Sequence, residues 1–98
     1  MVNHDRQQFS WDPIKNRINI TNHGISFFTA AKIFDGPRLE EEDTRQDYGE
    51  TRIIALDRSE GKILYVVYTR RNSVIRIISA RKANRDERAE YIHQIHLF

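Results

Sequence analysis

Three apolar segments crowd the second half of the chain: TRIIAL, KILYVVYT and VIRIISAR. Only DRSEG separates the first from the second, and only RRNS separates the second from the third. β-Branched and aromatic residues dominate all three, which suits a pleated, half-buried surface. A parallel crossover consumes about a dozen residues or more, so connections this short permit only hairpins. The segments are therefore expected to form an antiparallel meander, and the rest of the chain must pack on it.

Alternation along these strands assigns faces. Ile75, Ile77, Ser79 and Arg81 are expected on one side, with Arg76, Ile78, Ala80 and Lys82 on the other. Leu64, Val66, Tyr68 and Arg70 share a face in the preceding strand. Both strands are apolar through the middle, so both faces of the sheet should be at least partly covered. Arg70 ends one strand and Arg76 begins the next, which makes them expected neighbours across the turn. Arg81 and Lys82 fall at the opposite edge.

The flanking segments read as helices. FSWD is a short extended piece with Phe9 and Trp11 on one side. Asp12 followed by Pro13 is a helix start, running to about Asn22, with Gly24 free to take the left-handed conformation that ends it. Ser26 caps a second helix, FFTAAKIF, which Asp35, Gly36 and Pro37 stop. Residues 39–48 are acidic and barely periodic, compatible with a weak edge strand or a mobile loop. Asn84 and Glu87 have the spacing of a capping box, so RDERAEYIHQI is expected as a C-terminal helix. Two N-terminal helices, a meander of three to four strands and a final helix make a single α+β domain over residues 1–98.

Charge is distributed unevenly. Residues 35–60 carry nine acidic and four basic side chains, a local charge of −5, whereas residues 65–98 carry seven basic and three acidic, a local charge of +4. One surface suited to a polyanion and another suited to a basic partner would explain the split; a solvated loop followed by a solvated helix is the plainer explanation. There is no cysteine, which removes disulfides and thiolate metal sites. No apolar run has the length of a membrane span, and the N-terminal residues lack the apolar region of a signal peptide, so a cytoplasmic location is expected. His93 and His96 lie three apart without further ligands nearby, and no metal site or cofactor is expected.

Taken together and in order, WDPIKNRINITNHGISF, ETRIIAL, GKILYVVYTRR and IRIISARKANRDERAEY resemble the BrnT toxins of bacterial type II toxin–antitoxin modules. The resemblance spans Phe9 to Tyr91. It implies a RelE-like fold, a ribonuclease that arrests translation without a metal, and a BrnA-type antitoxin with a ribbon-helix-helix domain. It further implies that operator DNA is bound only through the toxin–antitoxin complex. Four positions depart from the family pattern: Asn22 stands where a lysine usually precedes the His-Gly pair, Phe28 and Thr29 stand where two acidic residues are usual, and Asn84 replaces a usual threonine or serine, which it matches as a cap.

Metal-free RNA cleavage needs a base for the 2′-hydroxyl, an acid for the leaving 5′-oxygen and cations for the phosphate. His23 is the titrating candidate, since an unperturbed imidazole changes charge near neutral pH; the alternative is a cap on the helix end. Glu50 is a candidate for the opposite role, or a surface residue paired with Arg52 or Lys62. Lys15 is an alternative acid or phosphate holder. Arg70, Arg76 and Arg81 are the candidate phosphate clamp, because a planar fork of donors matches phosphate oxygens. Ser79 and Lys82 are candidate RNA contacts, and the start of the last helix offers backbone donors beside Arg81 as a phosphate seat. Tyr65, Tyr68 and Trp11 could stack bases, although strand aromatics are usually core. The expected function is thus an RNA-cleaving toxin; a cleavage-dead antitoxin-binding module and a general RNA-binding domain are the alternatives.

Overall fold

The computed structural model describes residues 6–96. A five-stranded sheet in the order β1-β5-β4-β3-β2 forms the centre. Its strands are β1 (Gln8–Ser10), β2 (Leu39–Glu42), β3 (Ile53–Ser59), β4 (Lys62–Arg71) and β5 (Val74–Lys82). The meander β3–β5 is antiparallel, as the short β3–β4 and β4–β5 connections require, and β2 joins it as an antiparallel edge strand. Glu60 and Gly61 both have positive φ, 51° and 80°, which makes the β3–β4 turn of the twist-matched type. Asn72 (φ 59°) serves the β4–β5 turn, as asparagine tolerates that region better than most residues.

The strand count exceeds the expected three to four because the extended piece near Phe9 joins the sheet. It pairs parallel to β5, with Phe9 opposite Ile75. Parallel pairing is possible here because the whole meander serves as the crossover between the two strands.

Helix α1 (Pro13–His23) starts at the Asp12 cap and ends at Gly24, whose φ is 70°. Helix α2 (Phe27–Ala31) is capped by Ser26 and gives way to a 3₁₀ turn over Lys32–Asp35. The expected second helix is therefore split into two short pieces. Helix α3 (Arg85–Ile95) has the complete capping box of Asn84 and Glu87.

One face of the sheet holds the main core. Phe27, Ala30 and Ile33 pack against Val66, Tyr68, Ile75 and Ile77. The smaller second cluster joins Tyr91 of α3 to Leu56, Ile63 and Ala83. Asn19 locks α1 onto β5. Its amide donates to the carbonyls of Ile25 and Ala80, and its Oδ1 accepts from the Ala80 N–H at 3.2 Å. β1 pairs only with Val74 to Arg76, so this side chain satisfies backbone that the edge strand leaves open.

A bulge overturns part of the face assignment. Val67 pairs with Ser79 and Tyr68 pairs with Ile77, which leaves Ile78 without an opposite residue. An extra residue reverses the alternation beyond it. Ser79 and Arg81 therefore face away from Ile75 and Ile77, and Ala80 joins the core instead. The expected Arg70–Arg76 pairing also fails: Arg76 lies opposite Thr69, and Arg70 lies opposite Ile75, on the other face.

Candidate active site

A cleft of about 120 Å³ opens between the start of α1 and the β4–β5 hairpin, lined by Lys15, Glu50, Arg52, Arg71 and Arg76, with Asp12 and the backbone near Ile78 at its margins. Three of the candidates chosen from the sequence, Lys15, Glu50 and Arg76, thus come together although the first and last are 61 positions apart (76 − 15). Each is delivered by a separate device. The Asp12 cap fixes the first turn of α1, its Oδ1 accepting from the Ile14 N–H at 2.8 Å, so Lys15 leaves the helix beside the sheet edge. Arg76 sits in the short stretch where β5 runs beside β1, and its Nη1 donates to Ser10 Oγ at 3.3 Å.

Glu50 is delivered by the acidic segment. Residues 39–42 form the edge strand β2, and the loop that follows is tied around the buried Asp43. Asp43 accepts from the Arg45 guanidinium at 2.8 Å through both oxygens, and from the Tyr48 hydroxyl at 3.0 Å. Hydrogen bonding from Arg45, and secondarily from Tyr48, holds the Asp43 carboxyl well below the usual carboxylate range against the opposing effect of burial. The loop is thus a constructed turn, and it ends with Glu50 facing the cations.

Four cations and two carboxylates line the cleft, a formal surplus of two positive charges (4 − 2). Glu50 Oε1 accepts from Arg71 Nη2 at 3.3 Å, and its Oε2 lies 3.5 Å from Arg52 Nε. The latter is too long to satisfy the donor, and the buried Arg52 Nε has no hydrogen-bond partner. Its guanidinium stacks on Tyr48, 4.2 Å from the ring centroid. A buried N–H without a hydrogen-bond partner beside a positive surplus has donor capacity left for an anion.

The other sequence candidates lie elsewhere. Arg70 lines a neighbouring depression with Glu40, Tyr68 and Thr69, sharing only Glu50 and its surroundings with the cleft. His23 is exposed at the far end of α1, about 12 Å from Lys15 along the helix axis at 1.5 Å per residue. Arg81 is committed: its two terminal nitrogens donate to Glu87 at 2.8 and 2.9 Å, and it stacks 3.8 Å above Tyr65. The Arg81 hydrogen bonds lower the Glu87 pKa against the opposing effect of burial. Glu87 also accepts from the Asn84 N–H at 2.8 Å. The phosphate seat expected at the start of α3 is therefore filled by the protein's own carboxylate. Ser79 is half-buried opposite Val67, and Lys82 is exposed beside Arg58, Lys62 and Arg88.

Of the expected stacking aromatics, Tyr68 is in the core with its hydroxyl donating to Glu40 at 2.6 Å, and Trp11 meets Phe27 edge-on. Sequence reading missed Arg52, Arg71 and Tyr48. Arg52 was legible as the second residue of TRIIAL, where alternation places it opposite to Ile53. Arg71 and Tyr48 gave no such signal.

Comparison with known proteins agrees with this architecture. The model of the family described as "Ribonuclease toxin, BrnT, of type II toxin-antitoxin system" matches residues 11–87. The 1.1 Å crystal structure of the Brucella abortus ribonuclease toxin BrnT superposes with a TM-score of 0.61 at 24% identity, covering 82% of this chain and all of that one. No match was found among curated protein sequences. The superposition establishes a shared fold, and the family match extends from Trp11, ahead of Lys15, to Glu87, beyond Arg76: the chain belongs to the BrnT family of type II toxin–antitoxin ribonuclease toxins.

Proposed function

We propose that this chain is a metal-independent endoribonuclease toxin that arrests translation, and that the cleft of Lys15, Glu50, Arg52, Arg71 and Arg76 performs the cleavage. The observation that carries the reading is the convergence of a carboxylate and four cations, one with a buried unpaired N–H, in a single cleft on a chain of this family. Cations can supply the charge stabilisation that a metal supplies in other nucleases.

In this reading the scissile phosphate binds between Arg71, Arg76 and Arg52, and displaces the Arg71–Glu50 contact. The freed Glu50 carboxylate takes the 2′-hydroxyl proton as the 2′-oxygen bonds to phosphorus. The P–O5′ bond breaks, and the Lys15 ammonium gives its proton to the departing 5′-oxygen. The products are a 2′,3′-cyclic phosphate and a 5′-hydroxyl end. Tyr48 is positioned to stack a flanking base. His23, Arg70 and Arg81 lie outside this chemistry: Arg70 and Lys82 contact RNA backbone beyond the scissile phosphate, Ser79 and Arg81 support β5, and His23 ends α1. The module is completed in the cytoplasm by a BrnA-type antitoxin with a ribbon-helix-helix domain, through which operator DNA is bound. The RelE-like description of the fold belongs to the same reading.

The deciding experiment incubates the purified protein with end-labelled RNA in excess chelator. Fragments ending in cyclic phosphate are expected, and growth arrest on expression without an antitoxin. Intact RNA together with unimpaired growth overturns the proposal.

A further inference from the structure

On the side of the sheet that carries α3, a second concavity of about 340 Å³ lies between β2 and the first turns of α3. It shares no residue with the cleft. Its floor is apolar: Leu39, Ile54, Leu56 and Tyr65. Its rim is acidic throughout, and two kinds of carboxylate make it up. Glu40 and Glu87 are occupied internally by Tyr68 and Arg38, and by Arg81. Glu41, Asp86 and Glu90 are exposed and form no ion pair among the described residues.

We propose that this groove docks a basic amphipathic helix of a partner protein, apolar on the side facing the floor and lysine- or arginine-bearing along its flanks. Two features of the groove select that occupant. Asp86 and Glu90 are four apart on α3, so they stand one helical turn from each other on one wall. A helix laid alongside presents cations at the same pitch, while Glu41 meets it from the opposite wall. The floor supplies anchoring for the apolar stripe, the usual division of labour when a helix enters a groove. Nucleic acid is excluded as the occupant, because three uncompensated carboxylates repel a phosphate backbone. The inference rests on the reading that this toxin has a protein antitoxin, and it identifies the surface on which such a partner would be held.

An 18-residue synthetic helix with leucine on one face and lysine on the other serves as the probe, with its glutamate counterpart as control. The full chain is used throughout. Amide resonances of Leu39, Ile54, Leu56 and Glu90 are expected to shift with the lysine peptide and not with the glutamate one. The double variant Glu41→Lys/Glu90→Lys is expected to weaken the lysine peptide at least tenfold at unchanged melting temperature. Both positions are exposed, and neither belongs to the proposed catalytic cleft. Shifts confined to other surfaces, equal binding of both peptides, or undiminished affinity in the variant each overturn the proposal. Sedimentation of the free protein covers the remaining occupant: a dimer dissolved by the double variant would assign the groove to a second copy of the chain and overturn it as well. RNA cleavage by the double variant separates the two readings. Cleavage retained with peptide binding lost supports the groove, whereas a wild type that neither cleaves RNA nor arrests growth refutes the nuclease whatever the peptide does.

Discussion

Arg76 and Arg81 lie five residues apart on one strand and on the same face of the sheet, yet the protein treats them in opposite ways. Arg81 is closed off by Glu87 and Tyr65. Arg76 has one long hydrogen bond to a serine and borders three other cations. The difference comes from what each end of the strand meets. At the Arg81 end the chain turns directly into α3, whose capping box brings a carboxylate within reach. At the Arg76 end it meets α1 and the tied loop, which bring Lys15 and Arg52 and only one carboxylate able to turn inward. An arginine is made available to a ligand less by its own position than by a shortage of acceptors around it.

That contrast can be broken by experiment. The largest effect is expected in the cleft: Arg76→Ala or Lys15→Ala should lower the RNA cleavage rate about 100-fold or more, with little change in melting temperature, while Arg81→Ala keeps the rate within about threefold. Single-turnover cleavage of labelled RNA measures this, and the reverse ranking would transfer the site to the start of α3. Next in size is the fastening of α1, which carries Lys15. Asn19→Ala leaves the Ala80 backbone groups unpaired and should destabilise by about 3 kcal/mol in denaturant titration.

The Arg81–Glu87 pair is partly exposed, with side chains 35% and 22% accessible. After discounting for solvent screening, Glu87→Gln should cost about 1 kcal/mol including its share of the cap. A loss of several kcal/mol would mean that the closed region is a buried ion pair. The smallest effect concerns pH. Asp43 and Glu87 both have pKa values lowered by folding. Their contribution is therefore present above the ordinary carboxylate range and is lost as pH falls through the folded values. Melting temperature should decline below about pH 4, and Asp43→Asn should flatten that decline. A profile identical to wild type would show that the loop is not held by this carboxylate.

Much of the scaffold was readable in the residues. Asp12-Pro13, Gly24, Ser26 and the Asn84/Glu87 pair act through contacts a few residues apart, so each announces its helix end locally. The meander was equally plain, because turn length alone forces it. The bulge at Ile78 was not, since VIRIISAR alternates acceptably with or without an extra residue. That one residue decides which face receives Arg81, and hence whether it meets Glu87. The parallel strand β1 was hidden for a related reason: FSWD carries no partner information, and its partner is 66 residues away. Lys15, Glu50 and Arg76 were chosen from the sequence by their chemistry, and the fold brings them into one cleft. Arg52 was legible only as a possible partner of Glu50, and Arg71 became visible only when the sheet placed it beside that carboxylate.

The pairing of β1 with β5 also bears on when the cleft can form. Lys15 is synthesised well before the strand that carries Arg76 and seats α1 through Ala80. Contacts this distant in sequence form late and slowly compared with local ones. A nascent chain on the ribosome therefore holds no complete cleft until β5 has emerged and been bordered on both sides. Topology gives synthesis an interval in which the cleft's residues exist as sequence without existing as a cleft.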